Sequence, residues 1–216
     1  SLTQITIPSS VTSIKHGAFF WCSSLTQITI PSSVRSIGND AFSFCSSLTQ
    51  ITIPSSVKSI GLNPFSYCPK LERISVDTNN SKYISIDNAL FTRNIQILIC
   101  YFGKTEVTTY TIPSSVRSIG DKAFFLCSSL TQITIPSSVK SIGDEAFYGC
   151  SSLMEITIPS SVRSIGNRAF SRCGSLMEIT IPLSVRSIGN NAFSRCSKLD
   201  SSFRNQLGKR FGKDVL

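Results

Sequence analysis

Eight cysteines are the side chains of this chain best suited to chemistry, and seven of them recur at one position of a repeated pattern. An even number of cysteines predicts disulfides in a secreted protein, and that alternative stays open here. We favour buried free thiols, because one residue type at equivalent turns suits a column of small apolar side chains. The column consists of Cys22, Cys45, Cys68, Cys127, Cys150, Cys173 and Cys196, and the eighth cysteine is Cys100.

Metal binding and catalysis need unlike residues that converge, and the sequence offers few of them. His16 is the only histidine, and no two cysteines have the C-x-x-C spacing of a zinc site. The sequence contains no P-loop, no nucleophile elbow, no G-x-G-x-x-G and no H-E-x-x-H motif. We therefore expect no metal, no cofactor, no small-molecule substrate and no catalytic residue, and we interpret His16 as an exposed loop residue.

Basic side chains form a second column. Net charge is +9, so an acidic partner is one prediction. A solvated stripe copied along with the repeat is the alternative, because like charges one repeat apart repel by only on the order of 1 kcal/mol in water. The candidates for polyanion binding are Arg35, Lys58, Arg117, Lys140, Arg163 and Arg186.

Polar side chains form a third set, at the outward positions of a predicted strand. Many hydrogen-bonding groups at low charge suit protein recognition, whereas threonine is also chosen for strand propensity alone. The candidate protein-binding face consists of Thr26, Gln27, Thr29, Thr49, Gln50, Thr52, Thr131, Gln132, Thr134, Glu155 and Glu178.

A single repeated unit positions all three sets. The string SLTQITIPSSV begins at Ser1, Ser24, Ser47 and Ser129, and variants begin at Ser152 and Ser175. Alignment gives eight units over residues 1–197. Seven are equal in length, as in 1–23 and 24–46, whereas the fourth (70–105) is longer and carries a hairpin insertion between Asp77 and Lys104.

Each unit alternates apolar residues as a strand does, and it then reaches a proline, a second short extended stretch and a glycine. Asn39 or Asp40 is expected to cap a short helical turn that carries Ala41, Phe42 and Cys45. No unit can bury its apolar residues alone, so the copies must stack. The period and the L-x-x-I-x-I spacing predict an α/β solenoid, a leucine-rich-repeat superhelix of about eight coils with parallel strands and short helical turns.

The motif I-x-I-P-S-S-V-x-x-I-G-x-x-A-F-x-x-C resembles the BspA-like, or treponemal-type, leucine-rich repeats over residues 1–197. The enlarged fourth unit resembles the hairpin insertion of that family. The resemblance implies a non-enzymatic protein-binding scaffold, either adhesin-like on a cell surface or an intracellular adaptor that regulates a signalling enzyme such as a phosphatase. The alternative function is a polyanion binder for glycosaminoglycan or nucleic acid.

The two ends of the array differ. Leu199, Phe203, Leu207 and Phe211 recur every four residues, which predicts a capping helix within residues 198–216; a membrane-surface helix is the alternative. The first unit lacks such a cap, so self-association at this edge is a further expectation. No apolar run is long enough to span a membrane, and both a cytoplasmic and a cell-surface location stay open.

Overall fold

The computed structural model describes residues 3–103 and 106–216, which form a β-solenoid of about eight turns with one C-terminal helix. Ser1, Leu2, Lys104 and Thr105, at the start of the first predicted unit and the end of the fourth, lie outside the described residues. The chain divides into two compact units. Unit 1 consists of Ser1–Ile95 and Ile99–Lys104, and unit 2 consists of Gln96–Leu98 and Thr105–Leu216.

Unit 1 contains two parallel sheets, one on each side of its turns. The longer strands pair in the order β1-β3-β5-β7 and the shorter ones in the order β2-β4-β6. Ile28 lies opposite Ile5 and Ile51, so the register shift between strands equals one repeat. The strands are β1 (Gln4–Thr6), β2 (Ser13–Ile14), β3 (Gln27–Thr29), β4 (Ser36–Ile37), β5 (Gln50–Ile53), β6 (Ser59–Ile60) and β7 (Arg73–Val76).

The predicted insertion forms an antiparallel hairpin. Strands β8 (Tyr83–Ile86) and β9 (Ala89–Thr92) are joined by Asp87 and Asn88, whose φ angles are 45° and 61°. Asp and Asn tolerate this left-handed conformation, which two-residue hairpin loops require. Strand β10 (Ile97–Tyr101) follows, and its first two residues pair in parallel with β12 of unit 2.

Unit 2 repeats the architecture of unit 1. Its longer strands pair in the order β11-β13-β15-β17, and its shorter strands in the order β18-β16-β14-β12. Again each pair is offset by one repeat, as in Glu155 opposite Glu178. The strands are β11 (Thr109–Thr111), β12 (Ser118–Ile119), β13 (Gln132–Thr134), β14 (Ser141–Ile142), β15 (Glu155–Thr157), β16 (Ser164–Ile165), β17 (Glu178–Thr180) and β18 (Ser187–Ile188).

The core of each unit consists of columns of identical side chains. In unit 2 the rings of Phe124, Phe147, Phe170 and Phe193 stack in sequence with centroids 5.0–5.4 Å apart and are fully buried. In unit 1 the Phe42 ring stacks on Phe65 at 5.6 Å. Burial of each such side chain contributes roughly 2–3 kcal/mol, so each turn is stabilised mainly by its two neighbours.

The segments predicted as short helical turns form successive tight turns instead, and no helix is assigned to them among the described residues. The amides of Asp40, Phe42 and Phe44 donate to carbonyls of the following coil, at 2.8–3.0 Å. A helix would direct these amides to carbonyls four residues earlier. Asp40 and Phe44 also have φ angles of 52° and 61°, which a right-handed helix excludes.

Glycine in the repeat serves close packing between coils. A Cβ atom on Gly143 would lie 2.6 Å from the amide nitrogen of Asp121 in the preceding coil. The φ angle of Gly143 is not positive. The repeat therefore needs glycine at this position because two coils approach closely, and not because the backbone adopts a positive φ angle.

The predicted capping helix is α1 (Ser201–Phe211), followed by a 3₁₀ turn (Lys213–Val215). The Asp200 carboxylate caps α1 by accepting hydrogen bonds from the amides of Ser202 and Phe203. Leu207 is buried, and the Phe203 ring meets Phe193 edge-on at 6.2 Å. The helix therefore covers the last phenylalanine of the core column.

Candidate binding surfaces

The predicted polar strand face lies on the longer strands, and its residues form two separate groups. Thr26, Gln27, Thr29, Thr49, Gln50 and Thr52 lie on or next to the sheet of unit 1, and the remaining five on or next to the sheet of unit 2. All the glutamines, both glutamates and Thr29, Thr52 and Thr134 are exposed. Within each unit the register brings equivalent side chains to adjacent positions, as in Gln27 opposite Gln50.

Three threonines of this face form hydrogen bonds between neighbouring coils. The hydroxyls of Thr26, Thr49 and Thr131 donate to carbonyls one coil earlier, at 3.0, 3.4 and 3.1 Å, and the side chains are half-buried. A hydroxyl that donates its hydrogen in this way can only accept a hydrogen bond from a partner. The free hydrogen-bonding groups of the face are those of the glutamines, the glutamates and the outer threonines.

The six basic residues of the predicted polyanion column are all exposed. Arg35 and Lys58 are on adjacent coils of unit 1, where Lys58 donates to the carbonyl of Ser55 and the hydroxyl of Ser81. The other four follow one another in unit 2 and are linked through their backbones: the amides of Lys140, Arg163 and Arg186 each donate to the carbonyl of the preceding basic residue, at 2.7–2.8 Å.

Acidic residues near the column do not neutralise it. The carboxylates of Asp121 and Asp144 accept hydrogen bonds from the amides of Asp144 and Asn167, at 2.9 and 2.7 Å. These aspartates, at the position predicted to cap a helical turn, thus bind the next coil. The ion pairs of unit 2 within its described part join Glu145 to Lys122 and Arg168, at 3.8 and 3.6 Å, and leave the column out.

Four aromatic side chains form a row on the turns of unit 1, three of them exposed and one, Phe44, half-buried. The aromatic row, as we name it, contains Phe20, Trp21, Phe44 and Tyr67. The Trp21 ring stacks on Phe44 at 5.0 Å with an angle of 16°, and Phe44 contacts Tyr67 at 5.0 Å. Trp21 is 63% exposed and Tyr67 50%. Large aromatic residues at this exposure are typical of contact sites for other proteins.

Three residues of the aromatic row have positive φ angles, which bulky side chains seldom adopt. Trp21, Phe44 and Tyr67 have φ angles of 63°, 61° and 52°, a region that costs a bulky residue on the order of 1 kcal/mol. At the equivalent position of unit 2, Gly149 adopts φ 70° and Arg172 adopts φ 61°. Neither the backbone nor the core therefore requires an aromatic residue at these positions.

The cysteine column forms a ladder of thiol donors. The Cys45 Sγ donates to the carbonyl of Phe19 at 3.2 Å, and the Cys196 Sγ to that of Phe170 at 3.0 Å; Cys68, Cys150 and Cys173 do the same. Burial raises the pKa of Cys45 to about 11, and it raises the pKa of Cys196 to about 11 as well. All eight cysteines are free, five of them buried and three half-buried, as the sequence predicts.

The remaining chemistry is sparse in the part of the chain that the structure describes. No group of three His, Cys, Asp or Glu side chains within residues 3–103 and 106–216 is placed to hold a metal ion. His16 is exposed, as expected. Over the same residues, no helix has both the length and the apolar character that a membrane crossing requires.

The first coil is less buried than the next. Phe19 and Val11 are half-buried, whereas Phe42 and Val34 in the second coil are fully buried. Strands β1 and β2 are at the ends of their sheets. Within the described part of unit 1, the apolar side chains of the first coil are therefore less covered than those of the second.

Leu183 is a surface residue that sequence reasoning missed. It is 91% exposed, on the last coil of unit 2. The signal was available: Leu183 replaces the first serine of the repeated P-S-S-V string, and an apolar residue at a turn position that is otherwise polar points to the surface.

Comparison with known proteins identifies the repeat. A family model described as the BspA-type leucine-rich repeat region, with six copies, matches residues 1–100 and 95–214. No curated protein matches the sequence.

Solved structures share the fold. A leucine-rich cell surface protein from Faecalibacterium prausnitzii is 33% identical, with a TM-score of 0.75; the match covers 100% of this chain and 64% of that one. A leucine-rich repeat protein from Eubacterium ventriosum is 29% identical, with a TM-score of 0.71, over 92% of this chain and 65% of that one. The pneumococcal vaccine antigen PcpA is 26% identical, with a TM-score of 0.74, over 92% and 61%. This chain thus spans less than two thirds of each of these proteins.

Proposed function

The chain belongs to the family of BspA-type leucine-rich repeat proteins, and from that premise we propose that it is a non-enzymatic scaffold that binds another protein. Repeats of this kind generally serve as protein-binding or adhesin-like scaffolds. The solved structure from Faecalibacterium prausnitzii belongs to a cell surface protein, which favours the adhesin-like role over that of an intracellular adaptor. Self-association through the first coil stays a prediction beside it.

The observation that carries the proposal is the aromatic row of unit 1. Three of its four rings are exposed, and Trp21, Phe44 and Tyr67 occupy positions where glycine would remove backbone strain. The rings already stack on one another, so little side-chain entropy remains to be lost on binding. Tryptophan and tyrosine are enriched among the residues that dominate binding energy. We assign the main anchor to this row and supporting polar contacts to the predicted strand face.

The test replaces Trp21, Phe44 and Tyr67 with glycine, because Gly149 shows that glycine fits this backbone. Proteins retained from host-cell surface and from cytosol by the natural chain are identified by mass spectrometry, and binding of the leading partner is then measured with purified proteins. We expect the glycine variant to bind that partner at least about 30-fold more weakly, the effect of losing about 2 kcal/mol at a hot spot.

Two matched variants make the result specific. Gln27→Ala with Gln50→Ala removes polar groups of the strand face in the same unit, and we expect a smaller loss of about threefold. Phe125→Ala with Tyr148→Ala removes an aromatic stack of unit 2 (5.0 Å) and leaves binding unchanged. The proposal fails if the glycine variant binds the purified partner as tightly as the natural chain does, or if no purified protein binds the natural chain.

A further inference from the structure

We propose that unit 2 carries a second, separate binding site, formed by Arg117, Lys140, Arg163 and Arg186, for a linear sulfated polysaccharide. We name these four residues the basic strip. The proposal does not depend on the protein-binding role, because the aromatic row is in the other unit. It depends on charge, register and the residues that surround the strip.

The four charges are held in line by the backbone. Lys140, Arg163 and Arg186 each donate their amide to the carbonyl of the preceding strip residue, so the four side chains start from equivalent points on successive coils. Parallel strands lie about 4.8 Å apart, so the strip extends over about 14 Å. A row of evenly spaced positive charges is complementary to a polymer that carries an anionic group on each successive monomer.

Within the described residues, no side chain of the basic strip forms an ion pair. All four side chains are exposed, and the ion pairs of unit 2 use Lys122 and Arg168 instead. The nearest carboxylates in the sequence, Asp121 and Asp144, are turned toward amides of the next coil. Among the described residues, Arg163 is the one strip residue whose side chain donates within the protein, to the carbonyls of Ser160 and Val162, and these bonds leave its charge unpaired.

The neighbouring side chains indicate the class of polymer. Ser118, Ser141, Ser164 and Ser187 follow the four basic residues directly and line a shallow open trough. Asp121, Asp144 and Asn167 also line this trough, and its described lining contains no aromatic residue. Single-stranded nucleic acid is bound by aromatic side chains on which its bases stack, and a protein partner needs apolar or aromatic anchors. Guanidinium, ammonium and hydroxyl donors without aromatic rings instead fit the sulfate and hydroxyl groups of a sulfated sugar chain.

The test measures binding of a heparin octasaccharide to the full chain by calorimetry at 50 and 200 mM NaCl. Four contacts to a linear polyanion, at about 0.7 released ions per contact, predict an affinity loss of about 50-fold between these salt concentrations. The strip variant replaces all four residues with threonine, the residue that stands at the equivalent position of the first coil as Thr12. We expect the strip variant to bind at least about tenfold more weakly at 50 mM NaCl, with little salt dependence left.

A matched variant removes four positive charges elsewhere in unit 2: Arg195→Gly, Lys198→Ser, Lys209→Ser and Lys213→Ser, all at exposed positions. Retention of affinity within about threefold by this variant supports a local site, whereas an equal loss shows that net charge alone attracts the probe and overturns the proposal.

Chemically desulfated octasaccharide should not bind. Tighter binding of single-stranded DNA of equal charge would overturn the choice of a polysaccharide, and failure of the natural chain to bind heparin at 50 mM NaCl would overturn the site itself. Circular dichroism checks that each variant is folded.

Discussion

At the scale of single residues, the cysteine column shows how one side chain can serve the repeat in two ways. Each buried thiol fills a small apolar space and donates to a carbonyl 26 residues earlier in the chain. A carbonyl buried without a donor would cost about 1–3 kcal/mol. Serine could donate as well, but its hydroxyl is more costly to bury than a thiol. Alanine would pack but could not donate, so cysteine alone meets both requirements.

The raised thiol pKa makes stability depend on pH in the alkaline range. The Cys45 thiol has a pKa of about 11 in the folded protein against 9.0 as its ordinary value, so above pH 9 the unfolded chain loses the proton first. The stabilising contribution is complete below pH 9 and is lost as the pH rises from 9 to 11, at about 1.4 kcal/mol per pH unit for each such thiol. We expect Cys45→Ala to lose about 1 kcal/mol less than the natural chain between pH 8.5 and 10, measured by urea unfolding.

The control for this prediction is Val57→Ala, a substitution at another fully buried position that carries no ionisable group. It should lower the free energy of unfolding by the same amount at both pH values. If Cys45→Ala and the natural chain have the same pH dependence, the Cys45 thiol does not titrate differently in the two states, and the ladder contributes packing only.

At the scale of elements, the sequence predicts those parts whose signals are local. The hairpin β8–β9 lies in the insertion that the enlarged fourth unit predicts, and α1 is predicted because apolar residues recur every four positions from Leu199 onward. Local sequence signals could not show that the predicted helical turn is a series of tight turns instead. Its amides have partners in the next repeat, as for Phe42 and the carbonyl of Pro64, and no local pattern records such a contact.

For the candidate surfaces too, the features set within one repeat were predictable and the contacts between coils were not. The columns were predictable, since every position of a repeat has a fixed direction and the exposed glutamines and arginines recur once in each unit that carries them. Two facts were not predictable. The hydroxyl of Thr26 is engaged by the preceding coil, and the carboxylate of Asp121 points along the array and leaves the basic strip unpaired. Both depend on side-chain direction between coils, which a single unit does not specify.

We expect helix α1 to stabilise unit 2 through its buried contact with the last coil. Leu207 is its deepest residue, 3% exposed. We expect Leu207→Ala to lower the free energy of unfolding by roughly 2–4 kcal/mol, whereas Gln206→Ala, at an exposed position of the same helix, should change it by less than about 0.5 kcal/mol. Thermal and urea unfolding measure both. Equal and small effects of the two substitutions would mean that α1 decorates the array without stabilising it.

At the scale of the whole molecule, the chain contains identical segments that differ only in their surroundings. The nonapeptide TQITIPSSV occurs four times, at residues 3–11, 26–34, 49–57 and 131–139. In every copy the valine amide donates to the proline carbonyl three residues earlier, at 3.0–3.2 Å. The four copies therefore share sequence and local hydrogen bonding. They differ in burial, because Val11 is half-buried whereas Val34, Val57 and Val139 are fully buried.

Residue-resolved hydrogen exchange by NMR can separate local from stacking contributions to stability. If the local turn determined protection, all four valine amides would exchange at one rate, because their intrinsic rates are the same. In a stacked array, protection comes from neighbouring coils, and a coil whose apolar side chains are half-buried opens at a lower free energy than one whose apolar side chains are fully buried. We expect the Val11 amide to exchange at least about tenfold faster than the amides of Val34, Val57 and Val139. Equal rates would show that each turn is stable by itself. A slowing of Val11 alone at higher protein concentration would reveal the predicted self-association, since a second copy packed on β1 and β2 would bury Val11 further.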